Sequence, residues 1–358
     1  MGDMLSDIIG AHAPLKIVSL RPDNLAAIDF RIMKVFPAFN IIETGLRSGD
    51  IRANTTIVET SSGTMALGLA IVCMHFGLKL HIFGDHAIER PLKRTIEELG
   101  AEVHLVDAAA SDANVQLLRK QALLNFMDRT GATWSRQYDN LSNCLSYARP
   151  AEEAIRQFGK IDVMVATVGS GGSSCGLAHY CRAFFHEMKL VGIDTFGSVL
   201  FGQPPGRRDL RGLGNSILPG NLFHEAFDEI HWLGANEAYQ AAHRLHRETS
   251  LKRGPTSGAA YVVAKWYAER FPRSKVLAVF PDDSQRYEHN VYNPAWIRDH
   301  GYRPELAAIE PILIPHPIRP NGGWCRFDWN RRSLSDVMGL HIPQTEGYCS
   351  GYLGRDLH

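Results

Sequence analysis

A glycine-rich segment between an apolar run and a helical pattern has the composition of an anion-binding turn. Residues 165–176 read Val-Ala-Thr-Val-Gly-Ser-Gly-Gly-Ser-Ser-Cys-Gly. Glycines let backbone amides converge on one ligand, hydroxyls add donors, and a helix N-terminus favours an anion. We therefore predict a phosphate cradle, with a flexible strand-to-helix turn as the alternative; its residues are Gly169, Ser170, Gly171, Gly172 and Ser173.

Two other nucleotide motifs explain this segment less well. Ser174 follows where a dinucleotide fingerprint has its third glycine, and no acidic ribose ligand stands at the usual distance. No Gly-Lys-Ser/Thr closes the turn, so the P-loop pattern also fails.

Two further turns rich in hydroxyl groups precede predicted helices. Residues 59–64 read Glu-Thr-Ser-Ser-Gly-Thr, and residues 254–260 read Gly-Pro-Thr-Ser-Gly-Ala-Ala. The first has the groups to bind a carboxylate, and the second permits a close backbone approach with a hydroxyl aimed at a cleft. Ordinary helix capping and tight helix packing are the alternatives for both.

Short apolar runs alternate with helical patterns along most of the chain, which is typical of βαβ units around a parallel sheet. The predicted strands are 55–59, 79–83, 102–106, 161–167, 189–193 and 275–280; the predicted helices are 65–76, 87–99, 114–128, 151–158, 175–187, 235–248 and 257–270. We predict an α/β protein with the site in a cleft between two lobes. The smaller lobe is 35–147, the larger is 1–34 with 148–302, and 303–358 is an added C-terminal extension outside the core.

Composition excludes several classes of function. The 358 residues are 45% hydrophobic, and 38 basic residues balance 38 acidic ones, so the positive charge of a nucleic-acid binder is missing. The six cysteines are scattered, without zinc-ligand spacing, which predicts free thiols and no metal centre. The first residues lack a basic region followed by an apolar one, and no apolar run is long enough for a membrane. We expect a cytoplasmic protein.

Taken in order, these turns resemble motifs of the fold-type II pyridoxal-phosphate enzymes, the family of cysteine synthase, cystathionine β-synthase and the diaminopropionate synthases. Residues 57–70 resemble the substrate-carboxylate loop of that family, and 169–176 its phosphate loop. Matching segments follow at 212–219, 254–260 and 280–287, and the similarity covers about residues 30–300. The resemblance implies a two-lobed architecture like that of the tryptophan synthase β subunit, pyridoxal 5'-phosphate as cofactor, and a homodimer.

The resemblance also implies roles for individual residues. Counting back from the carboxylate loop without a gap places Lys34 at the Schiff-base lysine; a surface lysine on an amphipathic helix is the alternative. The cradle residues would hold the cofactor phosphate, Thr64 the ring hydroxyl, and Thr256 the pyridine nitrogen. The implied substrate-binding residues are Ser61, Ser62, Gly63, Gln137, Gly212 and Arg208. For Gln137 a structural role is the alternative.

The chain departs from the family pattern beside the carboxylate loop and before the lysine. Thr64 stands where the family usually has asparagine, Met65 where it has threonine, and the usual Asn-Pro-x-Gly-Ser-x-Lys segment is replaced by Ile28-Asp-Phe-Arg-Ile-Met-Lys34. These changes favour specialised metabolism over housekeeping cysteine synthesis. Residues 194–208 resemble the diaminopropionate-synthase branch more closely.

The implied activity is β-replacement on an activated serine, O-acetyl- or O-phosphoserine, through an aminoacrylate to a β-substituted alanine. Arg207, Arg208 and Arg211 are candidates for an anionic leaving group or a dicarboxylic second substrate, with a solvated basic loop as the alternative. His341 and the aromatic residues of 324–352 either close over the cleft or pack ordinarily. A β-elimination lyase, a non-catalytic binding protein on the same scaffold and a nicotinamide oxidoreductase are the competing hypotheses.

Overall fold

A computed structural model describes residues 7–8, 10–12, 14–107, 115–210, 212–318 and 323–339 of the chain. Its strands form one sheet of eight and one of four, with the orders β1-β2-β10-β7-β8-β9-β12-β11 and β5-β4-β3-β6. The strands are β1 Leu15–Arg21, β2 Leu25–Phe30, β3 Thr56–Thr60, β4 Lys79–Gly84, β5 Glu102–Leu105, β6 Thr133–Trp134, β7 Val163–Thr167, β8 Lys189–Thr195, β9 Glu229–Leu233, β10 Val276–Phe280, β11 Ile312–Leu313 and β12 Trp324–Asp328.

The α-helices cover these sheets and separate most of the strands in sequence. They are α1 Val35–Ser48, α2 Thr64–Phe76, α3 Arg90–Glu98, α4 Val115–Thr130, α5 Ser142–Leu145, α6 Ala148–Phe158, α7 Gly172–Arg182, α8 Ala235–Thr249, α9 Pro255–Arg270, α10 Pro294–Asp299 and α11 Leu334–Met338. Short 3-10 helices lie at His224–Ala226, Gln285–Tyr287 and Pro304–Leu306.

The middle of each sheet is parallel and buried. In the large sheet β2, β10, β7, β8 and β9 run parallel, and every residue of β2, β7 and β10 is buried. All four strands of the small sheet are parallel. Helices on both faces explain why these strands are continuous apolar runs instead of alternating ones. The predicted α/β class is confirmed.

All six predicted strands and all seven predicted helices are present, with shifts of a few residues at their ends. The predicted strand 161–167 begins at Val163, and the predicted helix 175–187 begins at Gly172 and ends at Arg182. Among the described elements, the sequence analysis missed four helices, α1, α5, α10 and α11, and six strands, β1, β2, β6, β9, β11 and β12. The proposed lobe boundaries stay a prediction.

The C-terminal extension does not lie outside the core, as far as the structure describes it. Strand β12 pairs antiparallel with β9, so the extension adds an edge to the large sheet. Trp324 and Trp329 are fully buried, and the Trp324 indole N–H donates to Nδ1 of buried His231 over 2.8 Å. Tryptophan buries a large apolar area and needs a partner for its N–H. The proline-rich composition of 310–320 had indicated an appendage, and these buried contacts correct that expectation.

Within the described part of the chain, no helix combines the length and the apolar character needed to cross a membrane.

Candidate active site

Lys34 lies at the junction between the two sheets. It follows β2 and immediately precedes α1, and the neighbouring Met33 N–H donates to the Pro281 carbonyl over 3.0 Å. On the other side, helix α2 approaches so closely that a Cβ on Gly68 would stand 2.5 Å from the Lys34 carbonyl oxygen. Glycine at position 68 therefore lets α2 fix the backbone that carries the lysine.

The Lys34 side chain lines a cavity of about 280 Å³. No described residue accepts a hydrogen bond or forms an ion pair with its amino group. Burial lowers the pKa of Lys34 to about 8, against a smaller opposing effect of the Cys144 thiol. Because desolvation disfavours the ammonium form, about a tenth of this amine is neutral at pH 7, far more than for a lysine with the ordinary pKa, and the neutral form is what a nucleophile or base requires.

The predicted phosphate cradle lies at the end of β7 and the beginning of α7, on the wall of the same cavity. Gly171 has φ +81°, and a Cβ there would stand 2.5 Å from the Asn221 carbonyl oxygen. Ser170 Oγ accepts hydrogen bonds from Gly172 N–H and Asn143 Nδ2, both over 3.4 Å. Gly169, Ser170 and Ser173 face the cavity. The turn is thus built around a backbone conformation that glycine permits, with its polar groups at a helix N-terminus.

The predicted carboxylate loop forms the opposite wall, where Ser61, Ser62, Gly63, Thr64 and Met65 all line the cavity. Ser61 Oγ accepts a hydrogen bond from Gly63 N–H over 3.2 Å. Ser62 Oγ accepts from Asp85 N–H over 3.1 Å and from Arg119 Nη1 over 2.9 Å. The two serines therefore have different surroundings, and Ser62 connects the loop to a buried arginine.

Gln137 lines the cavity, and its groups are held by other parts of the structure. Its side-chain Nε2 donates to the Thr60 carbonyl over 2.9 Å, and its backbone N–H donates to Glu59 Oε2 over 2.9 Å. Glu59 is fully buried and also accepts from Trp134 Nε1 and from Ser135 Oγ. Desolvation raises the pKa of Glu59, while these three hydrogen-bond donors and the Thr60 N–H oppose the shift. These hydrogen bonds support the structural role that was the alternative for Gln137.

Thr256 lies in the first turn of α9 and lines the cavity. Its hydroxyl donates to Asp282 Oδ1 over 3.2 Å, and Tyr287 OH donates to Asp282 Oδ2 over 2.7 Å. Burial raises the pKa of Asp282. A hydroxyl has a single O–H, so while it donates to Asp282 it keeps only its lone pairs, and it can donate to a ring nitrogen placed in the cavity only by turning that O–H away from Asp282.

The three candidate arginines of the basic loop have different positions. Arg208 and Gly212 line the cavity, and Arg208 Nη2 donates to Ser216 Oγ over 3.0 Å. The Arg207 side chain is 83% exposed and pairs with Asp209 over 3.3 Å, so for Arg207 the solvated alternative is correct. Arg211 lies outside the described residues, as do His341 and the aromatic residues beyond 339.

Sequence reasoning missed a buried ion pair on the carboxylate-loop wall. Arg119 Nη1 and Asp85 Oδ2 are 3.0 Å apart, the two side chains are 7% and 5% exposed, and both line the cavity. The Arg119 Nε has no hydrogen-bond partner although it is buried. These residues are 34 positions apart, so no local spacing pointed to them. Nothing in the local pattern of α4 distinguishes Arg119, because the same helix also contains Lys120 and Arg129.

Comparison with known proteins places this site in a family. A sequence model described as "Pyridoxal-phosphate dependent enzyme" matches residues 30–282, which include Lys34, the cradle and Thr256. The chain belongs to this family. It is 32% identical over 291 residues to an N-(2-amino-2-carboxyethyl)-L-glutamate synthase of Cupriavidus metallidurans, covering 78% of this chain and 85% of that one.

Two further relatives extend the comparison. A cysteine synthase of Staphylococcus aureus is 30% identical over 298 residues, covering 80% of this chain and 95% of the relative. The crystal structure of an O-acetylserine dependent cystathionine beta-synthase from Helicobacter pylori superposes with a TM-score of 0.72 at 25% identity, over 81% of this chain and 98% of the other. These comparisons confirm the predicted family, the two-lobed fold-type II class and pyridoxal phosphate as the cofactor.

The residues of the cavity fit that cofactor. At Gly171 and Gly172 of the cradle a Cβ would collide with Asn221 or Asn143, and the backbone amides and hydroxyls of this helix N-terminus are donors that a phosphate group accepts from. Lys34 presents an amine with a lowered pKa for a Schiff base, and Thr256 presents a hydroxyl for the pyridine nitrogen. The same cavity also contains the loop of Ser61 to Thr64, where an amino-acid substrate has room for its carboxylate.

Proposed function

We propose that this pyridoxal-phosphate enzyme replaces the β-substituent of an activated L-serine and so makes a β-substituted alanine. The observation that carries the proposal is the Lys34 amino group, which has a pKa of about 8 and no protein partner among the described residues, beside the phosphate cradle and the carboxylate loop. The relatives are named as synthases of N-(2-amino-2-carboxyethyl)-L-glutamate and of cysteine, which supports a replacement reaction.

Each wall of the cavity has a separate task in this proposal. When bound, pyridoxal phosphate supplies an aldehyde that captures an amine and a ring that withdraws electrons from the substrate Cα. Lys34 is then the base that takes the α-proton and later returns it. The loop with Ser61, Ser62 and Gly63 binds the α-carboxylate, and Arg119 holds Ser62 in that loop.

The charges around the cavity favour substrates that carry extra negative charge. Apart from Lys34, which the Schiff base would occupy, its lining includes three guanidinium groups and two carboxyl groups: Arg119, Arg208 and Arg286, against Asp85 and Asp282. Guanidinium groups bind phosphate and carboxylate oxygens well. We infer that the donor is a phosphorylated serine or that the nucleophile is an amino acid with a side-chain carboxylate. The glutamate in one relative's name is of that second kind.

The decisive experiment offers the holoenzyme two donors and two nucleophiles and identifies the products by mass spectrometry. O-phospho-L-serine and O-acetyl-L-serine are each incubated with L-glutamate, with sulfide and alone. A product that contains both the serine carbon skeleton and the nucleophile supports β-replacement. Equal release of pyruvate and ammonia with and without a nucleophile would instead establish a β-elimination lyase.

The same assay tests the non-catalytic alternative. Two variants form a matched pair. Lys34→Ala removes the proposed base, and Lys16→Ala removes a lysine at an exposed position of the edge strand β1. If neither donor is consumed faster by the wild type than by Lys34→Ala, the protein is a binding protein on this scaffold. Under the proposal, Lys16→Ala retains wild-type turnover.

We further propose a homodimer in the cytoplasm. Four of the described cysteines, Cys73, Cys144, Cys175 and Cys181, are buried thiols outside any disulfide, which supports a reducing compartment. Sedimentation equilibrium of the holoenzyme tests the dimer, which a mass of 39.8 kDa, that of one chain, would contradict.

A further inference from the structure

Two histidines and a glutamate meet on the small sheet, away from the cavity that Lys34 lines. Strands β4 and β5 pair so that His81 lies opposite Glu102, and Phe83 opposite His104. Alternate residues of a strand share a face, so these four side chains lie on the same side of the sheet. We call His81, Glu102 and His104 the histidine–glutamate cluster.

The donor atoms of the cluster have the spacing of metal ligands. His81 Nδ1 is 2.9 Å from His104 Nε2 and 3.5 Å from Glu102 Oε2, and all three atoms lie within 4.8 Å of one another. Ligands that bind zinc tetrahedrally at about 2.0–2.2 Å are about 3.3–3.6 Å apart. A small adjustment of the Glu102 side chain therefore brings all three atoms onto one centre.

Aromatic packing holds the two imidazole rings while the carboxylate stays accessible. The His81 ring lies 4.6 Å from that of Phe126 on α4, and the His104 ring stacks on Phe83 at 4.8 Å. The Glu102 side chain is 70% exposed, whereas that of His81 is 13% exposed. An ion can thus enter from solvent past the carboxylate and reach two nitrogen ligands whose rings are already ordered.

We propose that the histidine–glutamate cluster binds a divalent transition-metal ion of the zinc type. Two imidazole nitrogens and one carboxylate oxygen are ligands that zinc accepts, and water completes the coordination. The alternative is a simple hydrogen bond between two histidines. The carboxylate distinguishes the cluster from the other histidine pair, since no described carboxylate joins the contact of His12 with His75.

Such an ion connects β5, the edge strand of the small sheet, to its neighbour β4. Ions that bind only the folded state stabilise it by mass action. The cluster is therefore a site that stabilises the small sheet, and it is independent of the reaction proposed for the cavity.

Titration calorimetry with zinc chloride on EDTA-treated, dialysed holoenzyme tests the proposal. We expect saturation at one equivalent per chain for the wild type, a zinc-dependent rise in melting temperature, and neither effect for His104→Gln. Glu102→Gln is the second variant, because its exposed side chain can be replaced without disturbing the fold, and we expect it to bind zinc at least about tenfold more weakly. Circular dichroism of both variants verifies the fold.

His75→Gln is the matched control, because it removes a histidine from the pair that lacks a carboxylate. It should bind zinc as the wild type does. Equal zinc binding by the wild type, Glu102→Gln and His104→Gln would overturn the proposal and place the ion elsewhere, for example at the cofactor. A wild type that binds no zinc would overturn it as well.

Discussion

The two walls of the cavity are built in different ways. The wall beside α7 is made of backbone, with a glycine turn at Gly169 to Ser173 at the head of a helix. The wall beside α2 depends on buried charged side chains: Arg119 with Asp85 lies behind Ser62, and Glu59 lies behind Gln137. The first wall suits a permanent cofactor, because its donors need no charged neighbours to hold them in place.

This difference determines what each wall tolerates. A backbone cradle is disturbed by any added side chain, whereas a side-chain wall is disturbed by the loss of a charge or a hydrogen bond. Changes in the wall beside α7 should therefore affect the affinity for the cofactor, and changes in the wall beside α2 should affect the KM for the substrate. Three predictions test that separation.

Gly171→Ala should have the largest effect. Alanine is strained at φ +81°, and its Cβ would stand 2.5 Å from the Asn221 carbonyl, so the turn must move. We expect the affinity for pyridoxal phosphate, measured by fluorescence titration of the apoenzyme, to fall about 100-fold, or about 3 kcal/mol.

Gly77→Ala is the control for Gly171→Ala. Gly77 also has a positive φ, +66°, but nothing lies within 4 Å of a Cβ there. It should cost about 1 kcal/mol of stability and leave cofactor affinity unchanged. If the two variants bind the cofactor equally well, the turn is not a cradle.

Arg119→Lys should affect the substrate and spare the cofactor. Lysine has a single ammonium group and cannot reproduce the guanidinium contacts with both Asp85 and Ser62. We expect KM for the serine donor to rise about tenfold, with the visible spectrum of the holoenzyme unchanged. Arg129→Lys, in the exposed last turn of the same helix, should leave KM as it is. A changed spectrum in Arg119→Lys would contradict the separation of the walls.

Asp194, a fully buried carboxyl in β8 that does not line the cavity, should have the smallest effect on cofactor and substrate binding, and its effect should instead be on the pH dependence of stability. Burial raises the pKa of Asp194 to about 7 from its ordinary value of 3.8. Between these two pH values the folded protein binds a proton that the unfolded chain does not. The free energy of unfolding therefore falls as pH rises from about 4 to about 7.

Denaturant unfolding at several pH values checks this prediction. Asp194→Asn should remove this pH dependence, because asparagine does not titrate, and the difference between the two pKa values corresponds to roughly 4 kcal/mol. A pH dependence identical to that of the wild type would show that Asp194 is ionised throughout. The large sheet would then contain a permanent buried charge, as the wall beside α2 does.

The same contrast explains what the sequence could predict. The glycine cradle, the hydroxyl turns and the strands β3, β4, β7, β8 and β10 are each encoded within a dozen consecutive residues, so local patterns located them. The contacts of Arg119 with Asp85 and of Glu59 with Trp134 join residues 34 and 75 positions apart. No local pattern contains such a pair. The pairing of β3 with β6 brings Glu59 to Trp134, and the packing of helix α4 against β3 and β4 brings Arg119 to Asp85.

The C-terminal extension illustrates a second limit. Prolines and a change of composition after residue 302 indicated an appendage, yet Trp324 and Trp329 are among the largest fully buried side chains. The five residues of β12, Trp-Cys-Arg-Phe-Asp, show no repeat of apolar and polar residues that would distinguish a strand from a loop. Their place is set by the open edge of β9, which the sequence analysis had also missed.

Reduction of the holoenzyme with borohydride, followed by peptide mapping, tests the central claim most directly. Borohydride converts a Schiff base into a stable pyridoxyl adduct on the lysine that forms it. We predict that the label lies on Lys34 and that Lys34→Ala carries none. A label on another lysine, or a protein that pyridoxal phosphate does not colour, would contradict the assignment of this cavity as the active site.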